Sequence, residues 1–233
     1  MDSNNPECYF FKGIVLEEVH DYEGALKCYD KAAQLNPNLY EVYANKASIL
    51  DDLQDFTGAL ENYEKAIKLN PKKNPDLYYN KALVHYNLKD YVNAIENYMK
   101  AIDINPKHLN AYVNMGNAYY ELKNYYEAIE CYNKAIEINS KDFEAYVCKG
   151  NALRQLKDNN GAIFCYNKAI EINSDLDDDV YVNKGILLNE FKDYNGVINC
   201  MQKAIQINPN NLIAIDFRDS AIKQLESFIQ KCQ

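Results

Sequence analysis

The chain has 233 residues, 48% of them hydrophobic and 25% charged, which is typical of a folded globular protein and argues against a disordered or fibrous one. Asp and Glu number 34 against 25 Lys and Arg, and the net charge of -9 disfavours general nucleic-acid binding, which needs clustered cations. No apolar stretch approaches the roughly 18 residues of a membrane span, and the first residues lack the basic and apolar regions of a signal peptide. We therefore expect a cytoplasmic protein that binds neither nucleic acid nor membrane.

One segment of eleven residues recurs six times along the chain. The copies are KCYDKAAQLNP, ENYEKAIKLNP, ENYMKAIDINP, ECYNKAIEINS, FCYNKAIEINS and NCMQKAIQINP. Their central alanines follow one another at intervals of 34 or 35 residues: Ala32, Ala66, Ala101, Ala135, Ala169 and Ala204. A fixed period of this length predicts a tandem array of structural repeats, each too small to bury its apolar face alone.

Each repeat is predicted to hold two helices joined by a short polar turn. The second helix begins at a residue whose side chain can accept hydrogen bonds from the first turn: Asp21, Asp55, Asp90, Asn124, Asp158 or Asp193. It ends at an Asn, which tolerates the left-handed conformation that commonly closes a helix: Asn36, Asn70, Asn105, Asn139, Asn173 or Asn208. A proline directly after the Asn prevents continuation in four repeats, at Pro37, Pro71, Pro106 and Pro209.

Equivalent positions of the repeats predict the core. Small residues recur in the first helix, where two helices must approach closely: Gly13, Ala47, Ala82, Gly116, Gly150 and Gly185. A column of large residues recurs in the second helix: Tyr29, Tyr63, Tyr98, Tyr132, Tyr166 and Met201. Another lies in the first helix: Tyr9, Tyr43, Tyr78, Tyr112, Tyr146 and Tyr181. Most of the 21 tyrosines are therefore predicted to be packing residues.

The unit of 34 residues, with aromatic, small, Ala, aromatic, Ala and Pro at these spacings, resembles the tetratricopeptide repeat (TPR) family. The resemblance implies an all-α, right-handed superhelical α-solenoid of six helix-turn-helix units in a single array over residues 1–233. The predicted units are 6–39, 40–73, 75–108, 109–142, 143–176 and 178–211. Residues 212–233 carry apolar residues at helical spacing and are predicted to form a capping helix that covers the last repeat. A helix that binds a membrane or a partner is the alternative for this tail.

The sequence gives little indication of a disulfide, a metal site or a catalytic site. Cys28, Cys131, Cys165 and Cys200 share one repeat position, and residues of stacked helices about 8–10 Å apart cannot form a disulfide or close a zinc site. We expect buried thiols in an intracellular, reducing compartment. The residues His20, His85 and His108 occupy different repeat positions, and we expect them to be partly exposed. We therefore predict no catalytic residues, no metal site, no cofactor and no enzyme activity.

The resemblance implies a groove lined by the first helices, in which partner peptides lie. The residue two after the first-helix Tyr is usually Asn, similar to the asparagine ladder in the superhelical TPR region of O-linked N-acetylglucosamine transferase, although Phe11 and Cys148 interrupt it. An Asn amide can bond the backbone of an extended peptide. The predicted groove residues are Asn45, Tyr79, Asn80, Tyr86, Asn114, Asn117, Tyr120, Asn151 and Asn183. Two alternatives stay open: the asparagines are a general repeat preference, and the tyrosines pack between helices.

Carboxylates near the ends of the first helices form a predicted acidic groove rim: Glu17, Glu18, Asp51, Asp52, Glu121 and Glu190. Acids at a helix C-terminus oppose the helix dipole, so a solely structural role is less favoured there. Chaperone-binding TPR domains hold a terminal carboxylate with Lys and Arg, but the matching positions here are acidic, apolar or Asn. We therefore expect a neutral or basic ligand segment, extended or helical.

The predicted function is a non-enzymatic protein-protein interaction module or scaffold that binds a peptide segment of a partner in its concave groove. One alternative is a regulatory or substrate-recruiting subunit of an enzyme complex, such as a glycosyltransferase or chaperone system. The other is a structural, self-assembling repeat protein. The sequence leaves the partner and the oligomeric state open, because a fold does not specify a function.

Overall fold

The computed structural model describes residues 5–70 and 74–232, with side chains as far as residue 230, so Pro71 and the side chain of Cys232 lie outside it. The described residues form thirteen α-helices and no strand. In chain order these are α1 Pro6–Glu18, α2 Tyr22–Leu35, α3 Tyr40–Asp52, α4 Phe56–Leu69, α5 Pro75–Asn87, α6 Tyr91–Ile104, α7 Leu109–Glu121, α8 Tyr125–Ile138, α9 Phe143–Gln155, α10 Asn159–Ile172, α11 Asp178–Glu190, α12 Tyr194–Ile207 and α13 Leu212–Cys232.

The chain divides into two compact units, Met1–Leu122 and Lys123–Gln233. The first contains α1 to α7, and the second contains α8 to α13. Within each unit, helices that follow one another in the chain pack side by side as pairs, and each pair contacts the next. The prediction of an all-α fold built from tandem helix pairs is therefore confirmed, because each unit repeats the same two-helix element.

Side-chain caps start the second helices as predicted in five of six repeats. The Oδ1 atoms of Asp21, Asp55, Asp158 and Asp193 each accept the backbone N–H three residues later, at 3.0 Å. A fifth cap, by Asp90, is longer and uses the same geometry. The exception is Asn124, whose side chain makes no capping bond, so α8 begins without this local support.

The prediction of left-handed asparagines at the helix ends is wrong. All six have negative φ, between -126° and -140°. In five of them the side chain accepts the N–H two residues later, as Asn36 does from Asn38 at 3.1 Å. Left-handed residues lie where the first helix turns into the second: His20, Gln54, Lys89, Lys123, Lys157 and Lys192, with φ of 59–63°. Such a residue lets the chain reverse while a following amide bonds back to the helix, as the Asp21 N–H does to the Leu16 carbonyl.

The two tyrosine columns differ in burial. The second-helix residues Tyr29, Tyr63, Tyr98, Tyr132, Tyr166 and Met201 are all at most 2% exposed, as predicted. In the first-helix column only Tyr181 is buried, and the other five are half-buried. Hydroxyls of this column reach the repeat junctions, where Tyr181 donates to the Ser174 carbonyl and Tyr43 to the Pro37 carbonyl.

The last helix packs as a cap on the second unit. Ala214 and Ala221 of α13 are at most 1% exposed and Phe217 joins the same apolar cluster, so one face of the helix is buried against the preceding pair. The amides of Asn208 and Asn211 donate to Asp178 Oδ2 of α11, at 3.0 and 2.7 Å. None of the helices in the described part of the chain is both long and apolar enough to span a membrane.

Candidate peptide-binding face

In the first unit, three predicted groove residues form a continuous hydrogen-bonded strip from α5 to α7. The Asn114 amide donates to the Tyr79 hydroxyl at 2.9 Å, and the Asn117 amide donates to Asn114 Oδ1 at 3.4 Å. All three side chains are half-buried. The two asparagines meet because residues three apart share one face of a helix, and Tyr79 meets them from the first helix of the preceding repeat. We call Tyr79, Asn80, Asn114 and Asn117 the α5–α7 strip.

The amide of Asn80 differs from the other amides of this strip. Asn80 follows Tyr79 in α5 and is half-buried. No hydrogen bond joins its side chain to another residue of the described chain. Its donor and its acceptor therefore remain available to a ligand, whereas the Asn114 side chain already uses both in the bonds given above.

Asn45 is engaged by the protein core and by the acidic rim. Its amide donates to the Tyr29 hydroxyl at 3.2 Å, and that hydroxyl donates to Glu17 Oε2 at 2.7 Å. Burial, followed by the hydrogen bond to the Glu17 carboxylate, raises the pKa of Tyr29. A ladder residue and a rim residue are thus joined through a buried tyrosine, so both contribute to packing.

The predicted groove residues of the second unit have internal partners as well. Asn151 accepts the Tyr166 hydroxyl at 2.7 Å, and Asn183 Oδ1 accepts an N–H of the Arg154 guanidinium at 3.0 Å. Cys148 stands at the interrupted ladder position, where burial raises the pKa of its thiol to about 11. Asn151 and Asn183 use their Oδ1 atoms in these bonds, so their Nδ2 donors remain for a ligand.

Two of the predicted groove tyrosines, Tyr79 and Tyr86, contact other rings. The Tyr79 ring lies 4.8 Å from the His108 ring and 5.9 Å from the Tyr98 ring, measured between centroids. The Tyr86 ring lies 5.3 Å from that of Tyr91. Tyr86 and Tyr120 are half-buried. Tyr79 and Tyr86 thus have both a packed ring and an accessible part, so they pack between helices and still present surface to a ligand.

The predicted acidic rim has an exposed and a half-buried part. Glu18, Asp52, Glu121 and Glu190 are exposed, whereas Glu17 and Asp51 are half-buried. Burial raises the pKa of Asp51, although the Asn87 amide at 3.5 Å acts in the opposite direction. In the first unit, burial raises the pKa of Tyr63, and the charges of Asp51, Asp52 and Glu17 raise it further. These three acids therefore create a negative potential in one region.

The role of His108 was not predicted from the sequence. Its Nδ1 accepts the N–H of Ala111 at 3.3 Å and caps α7, and its Nε2 lies 3.3 Å from Asp76. The side chain is 11% exposed and that of His85, which contacts Asp90, is 13% exposed, so both are more buried than predicted. The position directly before a first helix was the available signal, because Asp142 caps α9 from the same place.

The cysteine row is buried as predicted, and its members are free thiols: Cys28, Cys131, Cys165 and Cys200. Burial raises the pKa of Cys131 to about 12, which makes its thiol a poor nucleophile at neutral pH. No group of three or more His, Cys, Asp or Glu residues in the described ranges is arranged to hold a metal ion.

Comparisons with known proteins agree with this geometry. Sequence models described as tetratricopeptide repeat match residues 6–39, 75–108, 109–142, 143–176 and 178–211, and a further TPR repeat model matches 47–89. No curated protein matches the chain.

Solved structures of repeat proteins are similar to this chain. The C-terminal part of a TPR repeat-containing protein from Cytophaga hutchinsonii has a TM-score of 0.79 at 20% identity, over 93% of this chain and 88% of that chain. YrrB, described as a TPR protein with an unusual peptide-binding site, has a TM-score of 0.68 at 22% identity, over 82% of this chain and 97% of that chain. MamA has a TM-score of 0.68 at 24% identity, over 75% and 94%. At these identities the likeness concerns the fold.

Proposed function

This chain belongs to the tetratricopeptide repeat family, and from that premise we propose that it is a non-enzymatic scaffold that binds a segment of a partner protein along its first helices. The family and the structural likeness to YrrB and MamA support a protein-interaction role. The peptide-binding site named for YrrB is consistent with a ligand that is a peptide segment.

The observation that carries the proposal is the α5–α7 strip with the unused amide of Asn80. An extended peptide presents one N–H and one C=O per residue, and an Asn amide can pair with both. Neighbouring helices lie about 8–10 Å apart, which is close to the length of three extended residues. One ladder asparagine for every three ligand residues therefore supports the peptide backbone without selecting its sequence.

The rim charges support a neutral or basic segment in the first unit. Glu18 and Asp52 are exposed, and Glu17 and Asp51 lie near them at the ends of α1 and α3. A basic side chain at these ends is attracted both by the carboxylates and by the negative helix termini. Since exposed charges are screened by salt, binding of a basic segment should weaken as salt rises.

The test is affinity capture of partners with the Asn80→Ala variant. Because the Asn80 side chain has no partner in the described chain, the variant should melt like the wild type. Loss of one hydrogen bond of about 1 kcal/mol should weaken partner binding by about fivefold. Asn167→Ala, at an exposed position of the second helix α10, is the matched control and should bind like the wild type.

The captured protein and its charge decide between the alternatives. Equal capture by wild type, Asn80→Ala and the double variant with Asn114→Ala would contradict binding at the strip. Unchanged partners with a changed mass in solution would favour self-assembly, and co-purification of a catalytic chain would favour the subunit of an enzyme complex. Tighter binding after removal of basic residues from the ligand would refute the charge preference.

We also propose a reducing, intracellular location. Six cysteines in the described part of the chain are free, including the buried row at one repeat position. Proteins of oxidising compartments commonly use their cysteines as disulfides, so this pattern fits a compartment that keeps thiols reduced.

A further inference from the structure

A polar cavity of about 480 Å³ lies in the second unit, where α9 ends, α10 begins and the last turns of α11 pass. Its lining includes Arg154, Lys157, Asn159, Ile186, Leu187 and Glu190. Asn183, the ladder residue of α11, lies next to the cavity, because Arg154 lines the cavity and donates to Asn183.

The guanidinium of Arg154 is incompletely paired. One terminal N–H donates to Asn183 Oδ1 at 3.0 Å. The Nε atom is buried and has no hydrogen-bond partner, and no carboxylate of the described chain forms an ion pair with this arginine. The other arginine of the chain, Arg218, is fully different: its Nε and a terminal nitrogen bind Asp219 Oδ1 at 3.0 and 2.8 Å.

The guanidinium of Arg154 has no carboxylate partner within the described chain, and its remaining terminal N–H groups are available to an external anion. Arginine stays charged at all ordinary pH values, and its planar fork suits a carboxylate bidentately. The bond to Asn183 holds the guanidinium in one orientation, so less side-chain entropy is lost when a ligand binds.

The surroundings favour an anion with an aliphatic part. Glu190, the lining carboxylate, accepts a hydrogen bond from the Asn159 amide and makes no ion pair with Arg154. Lys157 is exposed at the edge and adds a second positive charge. Leu187, 2% exposed, and the half-buried Ile186 supply an apolar wall. Positive charge therefore exceeds negative charge around a partly apolar space.

We propose that this cavity binds a carboxylate of the partner segment, with Arg154 donating through its remaining terminal N–H groups, and with the aliphatic carbons of the ligand against Ile186 and Leu187. The proposal rests on the proposed function, since the segment lies along the first helices. It adds an anionic subsite in the second unit to the preference for neutral or basic residues in the first. The carboxylate belongs to a chain end or to a Glu side chain, and the probes below separate the two.

The test is NMR of the arginine side chains of the full chain. The protein has two arginines, so its Nε–Hε region holds two resonances, which Arg154→Lys and Arg218→Lys assign. N-acetyl-leucine represents a chain-terminal carboxylate, and N-acetyl-glutamic acid α-methylamide represents a side-chain carboxylate. N-acetyl-leucinamide and N-acetyl-glutamine α-methylamide are their neutral isosteres. We expect a saturable shift of the Arg154 Nε–Hε resonance with a carboxylate probe and not with its isostere, because the probe binds the same guanidinium, and the tighter probe identifies the source.

Variants give the second measurement. Binding of the carboxylate probe is followed by the backbone amide resonances of Ile186 and Leu187. Arg154→Lys should lower the affinity for this probe by about tenfold, because Lys cannot bind a carboxylate bidentately. Arg218→Lys should leave it unchanged. Equal shifts with the neutral isosteres, a shift confined to Arg218, or no shift at all would overturn the proposal, and these wild-type spectra decide it even if a variant fails to fold.

Failure of this site and failure of the proposed function are distinguishable. Asn80 lies in the first unit, so its effect on partner capture does not depend on the cavity. Absent probe binding with capture that depends on Asn80 overturns the carboxylate subsite alone. Probe binding at Arg154 with capture indifferent to Asn80 supports the subsite and contradicts the α5–α7 strip.

Discussion

Two core tyrosines at the same repeat position differ in what their hydroxyls contact. Tyr98 and Tyr166 are both 0% exposed. The Tyr166 hydroxyl donates to Asn151 Oδ1 at 2.7 Å, whereas the Tyr98 hydroxyl has no hydrogen-bond partner in the described chain. In the repeat of Tyr98, the position of Asn151 is occupied by Leu83, which offers no polar atom. Replacing each tyrosine by phenylalanine therefore removes a hydroxyl that is hydrogen-bonded in Tyr166 and unsatisfied in Tyr98.

The expected effects have opposite signs. An unsatisfied buried hydroxyl costs about 1–3 kcal/mol, so Tyr98→Phe should stabilise the protein by about 1 kcal/mol after the small packing loss. Tyr166→Phe removes a made hydrogen bond and should destabilise by about 1 kcal/mol, with water reaching the half-buried Asn151 in compensation. A change of 1 kcal/mol shifts the Tm of a chain of this size by about 2–4 °C.

The assay is thermal and urea unfolding by far-ultraviolet circular dichroism, for the wild type and both variants in one buffer. Repeat proteins can unfold in steps, so whole curves are compared as well as midpoints. The ring volume is nearly the same in both variants, and each serves as the control of the other. Equal destabilisation by the two substitutions, or a lower midpoint for Tyr98→Phe than for the wild type, would refute the reasoning.

Three further predictions concern packing and pH. Gly150→Ala should lower the free energy of unfolding by about 1–3 kcal/mol, and with it the Tm, because the new Cβ would lie 2.7 Å from the Tyr166 ring. An unchanged melting curve would show that the ring moves aside without cost. Burial raises the pKa of Asp51, so its ionised form is disfavoured in the fold, and Asp51→Asn should be stabilising at pH 7 and not below about pH 4. The Asn211 amide lowers the pKa of Asp178, so this carboxylate stabilises the fold above about pH 4, and Asp178→Asn should be destabilising at pH 7 and neutral in acid. Unfolding midpoints at pH 7 and pH 3 check both signs, and equal shifts at the two pH values would contradict them.

The sequence predicted the fold from its local, periodic features. The alanines and tyrosines of the second helices are buried because each repeat places them at the same point of the same helix pair. The Asp caps act within three residues, so their role was visible as well. The helix ends were less predictable, because the left-handed position is held by Lys89 and Lys123 in place of a residue that favours that conformation.

The candidate site was predictable in its positions but not in its contacts. The ladder register placed Asn114 and Asn183 on first helices, and both side chains meet side chains of the preceding repeat. A ladder asparagine bonds to Tyr79, to Arg154 or to no side chain, depending on which residue lies about one repeat away. No local sequence pattern specifies that residue. Arg154 itself had a signal: it is the one arginine at a position held by acids, tyrosines or Asn in the other repeats.

The sequence alone determined the helix pair, its period and the columns of small and large residues, since these follow from spacing along one chain and from caps within one turn. The tertiary structure decided which polar groups are satisfied. It left the Tyr98 hydroxyl and the Arg154 Nε without a partner and engaged Asn45, Asn114 and Asn183. The physical reason is that a buried hydrogen bond needs two groups in contact, and here the second group comes from another helix.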